Sequence, residues 1–246
     1  MEYETSYWLF ILILPLVSFL YSSVGHGGAS GYLALMALFS FPHLMMKQTA
    51  LLLNLFVAGI SFYQYYKRGH FNFKLFFYFA VGSVPASFIG GLWTIDPDLY
   101  KKILGFLLLF AIARIVFTQK NNLQKTNVPL PIIAVGIGVI IGFFSGLIGI
   151  GGGIILTPIL LLMHWSRMKE AAAVSALFIW VNSASGLIGQ FSSGVHLKSS
   201  VFLMLAFALS GGSLGAYYGS KKWKNKQLEY FLALILTTAS IKLIVF

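Results

Sequence analysis

Two stretches of the chain combine pliable backbone with polar side chains: "SVGHGGASGY" at 23–32 and "GLIGIGGGIILTP" at 146–158. In the first, Gly25, Gly27 and Gly28 surround His26; in the second, Gly149, Gly151, Gly152 and Gly153 are nearly contiguous. Glycine in a helix interior costs about 1 kcal/mol relative to alanine. It also admits φ > 0, so such a run lets a helix unwind. A short helix restarting after the break would aim its free N–H groups and positive dipole end at whatever faces it. Two such ends brought together make a site for a small anion. Side chains that could complete it are Ser22, Ser23, His26, Thr49 and Asn54 near the first stretch, and Thr157, Ser175, Asn182 and Ser183 near the second. Serine and threonine in a membrane helix often bond only their own backbone. His26 could donate to an anion or change charge near neutral pH; it could equally be a packed ring bonded to a carbonyl. Asn54 and Asn182 are the side-chain amide candidates. Isolated glycines such as Gly82, Gly105 and Gly136 are read instead as close helix-packing positions.

Other chemistries are excluded by what the chain lacks. All six carboxylates, Glu2, Glu4, Asp96, Asp98, Glu170 and Glu229, lie near the ends of apolar segments. Cation carriers and proton pumps usually place one mid-membrane, so a cation substrate is disfavoured and His26 is the candidate proton carrier. There is no nucleotide-binding loop of the Walker type and no cluster of carboxylate and histidine ligands for a metal. The chain has no cysteine, which removes disulfides and thiolate sites; no cofactor is expected. Neither a catalytic triad nor a metal cluster is visible, so the chain is not read as an enzyme.

The elements that must hold these breaks are transmembrane helices. The 246 residues are 58% hydrophobic and 9% charged, with a mean hydropathy of +0.85; a soluble domain carries about 25% charged residues. The apolar runs are long and do not alternate, which excludes a transmembrane barrel. Ten are visible, at 7–24, 28–41, 48–66, 72–92, 99–118, 129–149, 152–164, 170–190, 197–219 and 228–246. Crossing a bilayer takes about 20 helical residues. Segments 28–41 and 152–164, at roughly 20 Å, are too short, and each follows a glycine cluster. The acidic start "MEYETSYW" is unlike a signal peptide, so the first segment is expected to be retained.

The formal charge of +11 is read as a topology signal, not as a nucleic-acid footprint. Lys67, Arg68 and Lys74, then Arg114, Lys120 and Lys125, then Arg167 and Lys169, then Lys221, Lys222, Lys224 and Lys226 sit in or beside four loops. All four fall on one side whether both short segments cross or both form re-entrant hairpins. That side is cytoplasmic by the positive-inside bias, which puts both termini outside. Arg114 and Lys242, near segment ends, are expected to snorkel rather than bind substrate.

The chain also resembles itself. "YSSVGHGGASGYLALM" aligns with "SGLIGIGGGIILTPIL" at an offset of 124, as from Gly25 to Gly149. "MMKQTA" then matches "RMKEAA", "FNFKLFF" matches "VHLKSSV", and "RIVF" matches "KLIV". Five segments per half is an odd number, so repeats of about 1–120 and 129–246 within a single membrane domain would be inverted, as in many secondary carriers. The fold class expected is an all-α polytopic bundle of two inverted repeats, each with a glycine-rich break and a short half-helix.

The stretch "GFFSGLIGIGGGIILTPIL", with Pro158 after its glycines, and the stretch "KEAAAVSAL" resemble the TauE/SafE sulfite exporter family, also called the toluene-sulfonate uptake permeases. The first half is a degenerate copy that keeps Gly25, Gly27 and Gly28, lacks the proline and carries His26. The resemblance implies a bacterial-type inner-membrane carrier of small sulfur-containing anions such as sulfite or organosulfonates. The expected partners are that anion and membrane lipid, and not nucleic acid. A homodimer is left open as the oligomeric state. The alternatives are a carrier of another small organic anion and a non-transporting accessory subunit.

Overall fold

A computed structural model describes residues 2–117, 126–194, 199–221 and 226–245, with side chains at 7–110, 112, 126–194, 199–221 and 236–245. These residues form α1 (Glu2–Ser23), α2 (Ala29–Leu38), α3 (His43–Tyr66), α4 (Phe73–Leu92), α5 (Pro97–Phe117), α6 (Pro131–Ile148), α7 (Gly153–Leu162), α8 (Met168–Ser192), α9 (Ser200–Lys221) and α10 (Lys226–Val245). No strand occurs among them. In lipid the backbone has no water to bond, so each segment must satisfy its own polar groups, which a helix does. By length and composition, α3, α4, α6, α8 and α9 can each cross a membrane. The chain is an all-α polytopic membrane protein.

The elements differ from the predicted segments mainly at their ends. α3 starts at His43, five residues before the predicted 48, because Pro42 sets an extended entry (ψ 136°) and the polar "HLMMKQT" is helical. The half-helices α2 and α7 are shorter than the apolar runs that contain them. Phe39 and Met163 end them, and the next residues, Ser40 and His164, turn away at φ 58° and 57°.

Small residues set the helix crossings. A Cβ added at Gly138, Gly142 or Gly146 of α6 would strike the carbonyls of Phe79, Ser83 and Ser87 in α4. Gly211, Gly215 and Gly219 of α9 stand in the same relation to Pro15, Phe19 and Ser23 of α1. The matched increments of four residues show that each pair runs parallel, with backbones in contact. Gly82 packs on Val135 and Gly105 on Ile244 as expected, but a Cβ at Gly136 would meet nothing within 4 Å, so that glycine is not a packing position. α3 and α8 run antiparallel at the centre: Gly59 faces Trp180, and Leu51 faces Gly186.

Both half-helices fold back along the helix before them. Phe39 and Phe41, after α2, pack on Phe10 near the start of α1, while Tyr32 donates to Ser18 Oγ (2.8 Å). The end of α7 returns to the approach of α6, where the Asn127 N–H donates to the His164 carbonyl (2.8 Å). Each half-helix therefore forms a hairpin with its predecessor and reaches only part of the way across. At 10 residues each, they are about 15 Å long.

A cation caps the far end of α2. Lys242 Nζ donates to the Leu38 carbonyl and Ser40 Oγ (2.8 Å each), at the C-terminus of α2. The expected snorkelling of Lys242 is thus replaced by a cap on the negative end of a helix dipole. The side chain of Arg114 lies outside the described residues.

Candidate functional site

The two breaks share a backbone recipe. α1 closes with the His26 and Gly25 N–H groups donating to Tyr21 and Ser22 carbonyls (2.9 and 3.0 Å). Gly25 (φ 81°) and Gly28 (φ 103°) then turn the chain into α2. Gly149 (φ 88°), Gly151 (φ 75°) and Gly152 (φ 77°) turn α6 into α7. L-residues disfavour this region by about 1–2 kcal/mol. Gly28 and Gly152 are the N-caps of the half-helices, and neither cap supplies a side-chain acceptor. The first-turn N–H groups are left without the usual Ser, Thr or Asp oxygen. Tyrosines brace both sides: the Tyr65 hydroxyl donates to the Ser23 carbonyl (3.1 Å) and the Tyr100 hydroxyl to the Ile148 carbonyl (2.9 Å).

The breaks meet at a small buried cavity. His26, Gly28, Ala29 and Ser30 line it from the first half, Ile150 and Ile154 from the second, with Asn54 of α3, Ile179 of α8 and Tyr21 of α1. Asn54 is the hinge of this arrangement. A Cβ at Gly27 would lie 2.5 Å from Asn54 Oδ1, and one at Gly151 would fall on Asn54 Nδ2. The residue is fully buried, yet neither amide atom has a hydrogen-bond partner. A buried polar group without a partner costs about 1–3 kcal/mol, and Asn54 is the residue of this kind that lines the cavity.

His26 ties the halves together. Its Nδ1 lies 3.1 Å from the Val24 carbonyl, and its Nε2 lies 3.2 Å from the Gly153 carbonyl and 3.0 Å from Thr157 Oγ1. Thr157 Oγ1 donates in turn to Ser175 Oγ (2.7 Å). A chain of side chains thus runs from the first break, across the first turns of α7, into α8. No residue lining the cavity is charged in its ordinary state apart from the titratable His26. Among the described residues no group of three or more His, Asp or Glu is placed to hold a metal.

The remaining candidates fall around this centre. A Cβ added at Gly25 would lie 2.5 Å from the Ala172 Cβ of α8, and one added at Gly149 would lie 2.8 Å from the Lys47 carbonyl of α3. Gly152 and Gly153 are closed off by Ile141, Phe178 and Ile179. Asn182 is not brought to the cavity. Its Nδ2 donates to Ser83 Oγ (3.1 Å) and to the Phe178 carbonyl (2.8 Å), holding α8 against α4. Ser23 bonds the Leu20 carbonyl within its own helix, as the bland reading of serine expects. Ser22, Thr49 and Ser183 are buried with unpartnered hydroxyls and do not line the cavity.

One residue escaped the sequence reasoning. Lys47, 4% exposed, sits on α3 and donates to the carbonyls of Gly90, Gly91 and Trp93 (3.4, 3.2 and 3.0 Å), at the C-terminus of α4. Lys169 of α8 does the same at the C-terminus of α9, donating to the Ser220 and Lys221 carbonyls (3.3 and 2.9 Å). The pairing of "MMKQTA" with "RMKEAA" already aligned these two lysines and was the signal that could have found them.

A polytopic bundle in which two half-helices end at one buried, uncharged cavity has the build of a membrane transporter, where broken helices place ligand sites near the midplane. The comparisons with known proteins agree with that class. The chain belongs to the sulfite exporter TauE/SafE family, which it matches over residues 10–243. It is 34% identical over 232 residues to a probable membrane transporter protein of Sinorhizobium fredii, covering 93% of this chain and 94% of that one. Probable membrane transporter proteins of Bacillus subtilis (24% identical; 80% and 79% covered) and Methanocaldococcus jannaschii (28% identical; 92% and 94% covered) are similar over most of their length. No solved structure matches.

Proposed function

We propose that the protein is a secondary transporter that exports small sulfur-containing anions, such as sulfite or organosulfonates, and leaves them chemically unchanged. The observation that carries this reading is the convergence of two uncapped half-helix N-termini on a cavity that also holds the unpartnered Asn54 amide. Backbone N–H groups and a dipole end favour an anion, and Asn54 Nδ2 supplies a donor. Ile150, Ile154 and Ile179 on the same cavity suit the carbon portion of an organosulfonate. The anion is held between the breaks, and the halves rock against each other to open the site to either side.

In this reading the halves are inverted copies. Support comes from left-handed residues at one offset of 124, namely Gly25 with Gly149, Gly28 with Gly152 and Ser40 with His164. The antiparallel α3–α8 contact and the two lysine caps fit the same relation. The membrane is the inner cell membrane, with the basic loops cytoplasmic and both termini outside, as the positive-inside bias favours. Outward movement of an uncompensated anion is then downhill by ~2.3 kcal/mol per charge per 100 mV.

Efflux of radiolabelled sulfite and of methanesulfonate from proteoliposomes tests the proposal. The expected result is protein-dependent flux of at least one of them, lost in Gly151→Leu. Flux no greater than from empty liposomes for both would sink it and favour an accessory role.

A further inference from the structure

We propose that a second anion site lies at the end of the central helices away from the basic loops, with Lys47 as its cation and Gln48 and Gln190 as its amide donors. It is separate from the cavity between the breaks, and its part in transport rests on the function proposed above. A cavity opens there between the start of α3, the end of α4 and the end of α8. Lys47 and Gln48 line it from α3, Thr94 from the turn after α4, and Gln190 and Ser193 from the end of α8. From this end α3 leads away to Lys67 and Arg68, while α8 arrives here from Arg167 and Lys169. Lys47, Gln48 and Gln190 are 4%, 7% and 3% exposed, and Gln190 Oε1 has no hydrogen-bond partner. Native structures rarely leave a buried amide oxygen unmet. An amide presents a donor and an acceptor: Nε2 suits an oxygen of the anion, and Oε1 accepts from the O–H of a protonated oxyanion or of a water that accompanies it.

The ammonium of Lys47 is incompletely engaged. Its contacts to the Trp93 and Gly91 carbonyls are 3.0 and 3.2 Å, but the one to Gly90, at 3.4 Å, lies beyond the usual range of about 2.7–3.2 Å. Carbonyls solvate a buried charge without cancelling it, and an anion does both. No carboxylate lines the cavity. The acids beyond Thr94 are engaged at the start of α5: Asp96 Oδ1 accepts from the Asp98 and Leu99 N–H groups (2.9 and 3.3 Å), and Asp98 pairs with Lys101 (3.4 Å). The opposite end of the central helices lacks this character. There Lys169 is followed by Glu170, where the matching "MMKQTA" has Gln48, and a carboxylate beside the lysine repels an anion.

The cavity also stands behind the second break. Leu147 and Tyr100 line it, and the Tyr100 hydroxyl holds the Ile148 carbonyl. Leu147 faces this cavity and Ile150 the central one, while Gly149 between them backs onto the Lys47 carbonyl. The turn at Gly149 is therefore the partition between the two sites. An anion that passes it from the breaks arrives at Lys47, which makes this the release site on the side opposite the basic loops.

The test is calorimetric titration of the purified full-length protein with methanesulfonate at neutral pH, counting anions bound per chain. The wild type should bind two. Gln190→Leu removes an amide whose oxygen is already unmet, so the fold should hold while one of the two anions binds about 10- to 100-fold more weakly. Gln48→Glu, which imports the carboxylate of the opposite end, should abolish the same anion. Neither variant touches the carbonyl contacts of Lys47, so loss of its capping role does not explain the result. Asn54→Leu should remove the other anion. Stoichiometry and affinities unchanged in both glutamine variants overturn this site, and if the binding that remains is lost in Asn54→Leu the central site stands. Binding lost in the glutamine variants but kept in Asn54→Leu upholds this site and removes the central one. No methanesulfonate binding by the wild type overturns both.

Discussion

The two breaks are built on one plan and furnished differently. The second is backbone: Gly149, Gly151 and Gly152 all take positive φ, and its remaining residue, Ile150, is apolar. The first has two positive-φ glycines and a histidine between them. Yet the partners of that histidine, the Gly153 carbonyl and Thr157, belong to the second half. Asn54, from the first half, is pressed by glycines of both. Two similar breaks thus carry different side chains: in the proposed site, the shared backbone geometry would favour an anion and the unshared side chains would tune it.

Substitutions at equivalent glycines should separate the breaks most sharply. In Gly151→Ala the new Cβ meets Asn54 and Ile179 on a left-handed backbone. Left-handed strain of about 1–2 kcal/mol then adds to overpacking of about 1–3 kcal/mol. Gly27→Ala meets only Asn54 and Ala58, without that φ, so its melting temperature in detergent should fall less. Equal losses would mean that the breaks are equally strained. Asn54→Leu should next divide stability from binding. Its amide atoms have no partners to lose, so thermal stability should hold or rise. Anion affinity should nevertheless fall about 10- to 100-fold, the value of a hydrogen bond of about 1.5–3 kcal/mol to a charged group. Unchanged affinity would remove Asn54 from the site.

The lysine caps offer a smaller contrast. Lys47→Met strands the buried Gly90 and Gly91 carbonyls and the part-buried Trp93 carbonyl and should cost about 1–3 kcal/mol. Lys169→Met, at a half-buried position, should cost about 0.3–1 kcal/mol, the usual value of a cation at a helix C-terminus. Thermal unfolding of the pair checks the order, and a reversed order would locate the tighter cap in the second half. Smallest of all is Gly136→Ala. With nothing near its Cβ, it should gain up to about 1 kcal/mol from helix propensity. Gly142→Ala, further along the same helix and against the Ser83 backbone, should destabilise. A loss at Gly136 would point to a lipid or protein contact there.

Much of the fold could be read in the residues. A chain this apolar can satisfy its backbone only in helices, and runs of glycine can only interrupt them, so the helix count and the two breaks follow from local chemistry. The lysine pair was present in the aligned "MMKQTA" and "RMKEAA" but not its role, because burial of a loop-edge lysine depends on which helix end arrives above it. Lys242 likewise looked like an interfacial cation until the end of α2 was placed beside it.

Side-chain neighbours across the halves were beyond any local signal. Asn54 and Asn182 are the same residue type on the two central helices, yet one faces both breaks without partners and the other bonds Ser83 and Phe178. Helical phase and crossing geometry decide that difference, and both are set by glycine–carbonyl contacts between segments far apart in the chain. His26 and Thr157 are 131 residues apart, and no spacing rule connects them. By itself the sequence determined the solvent, the helices and where they break, because those depend on composition and backbone freedom. Only the tertiary structure decided that the breaks meet, and which of the candidate polar groups stand there, because close packing of antiparallel central helices selects one face of each and buries the rest elsewhere.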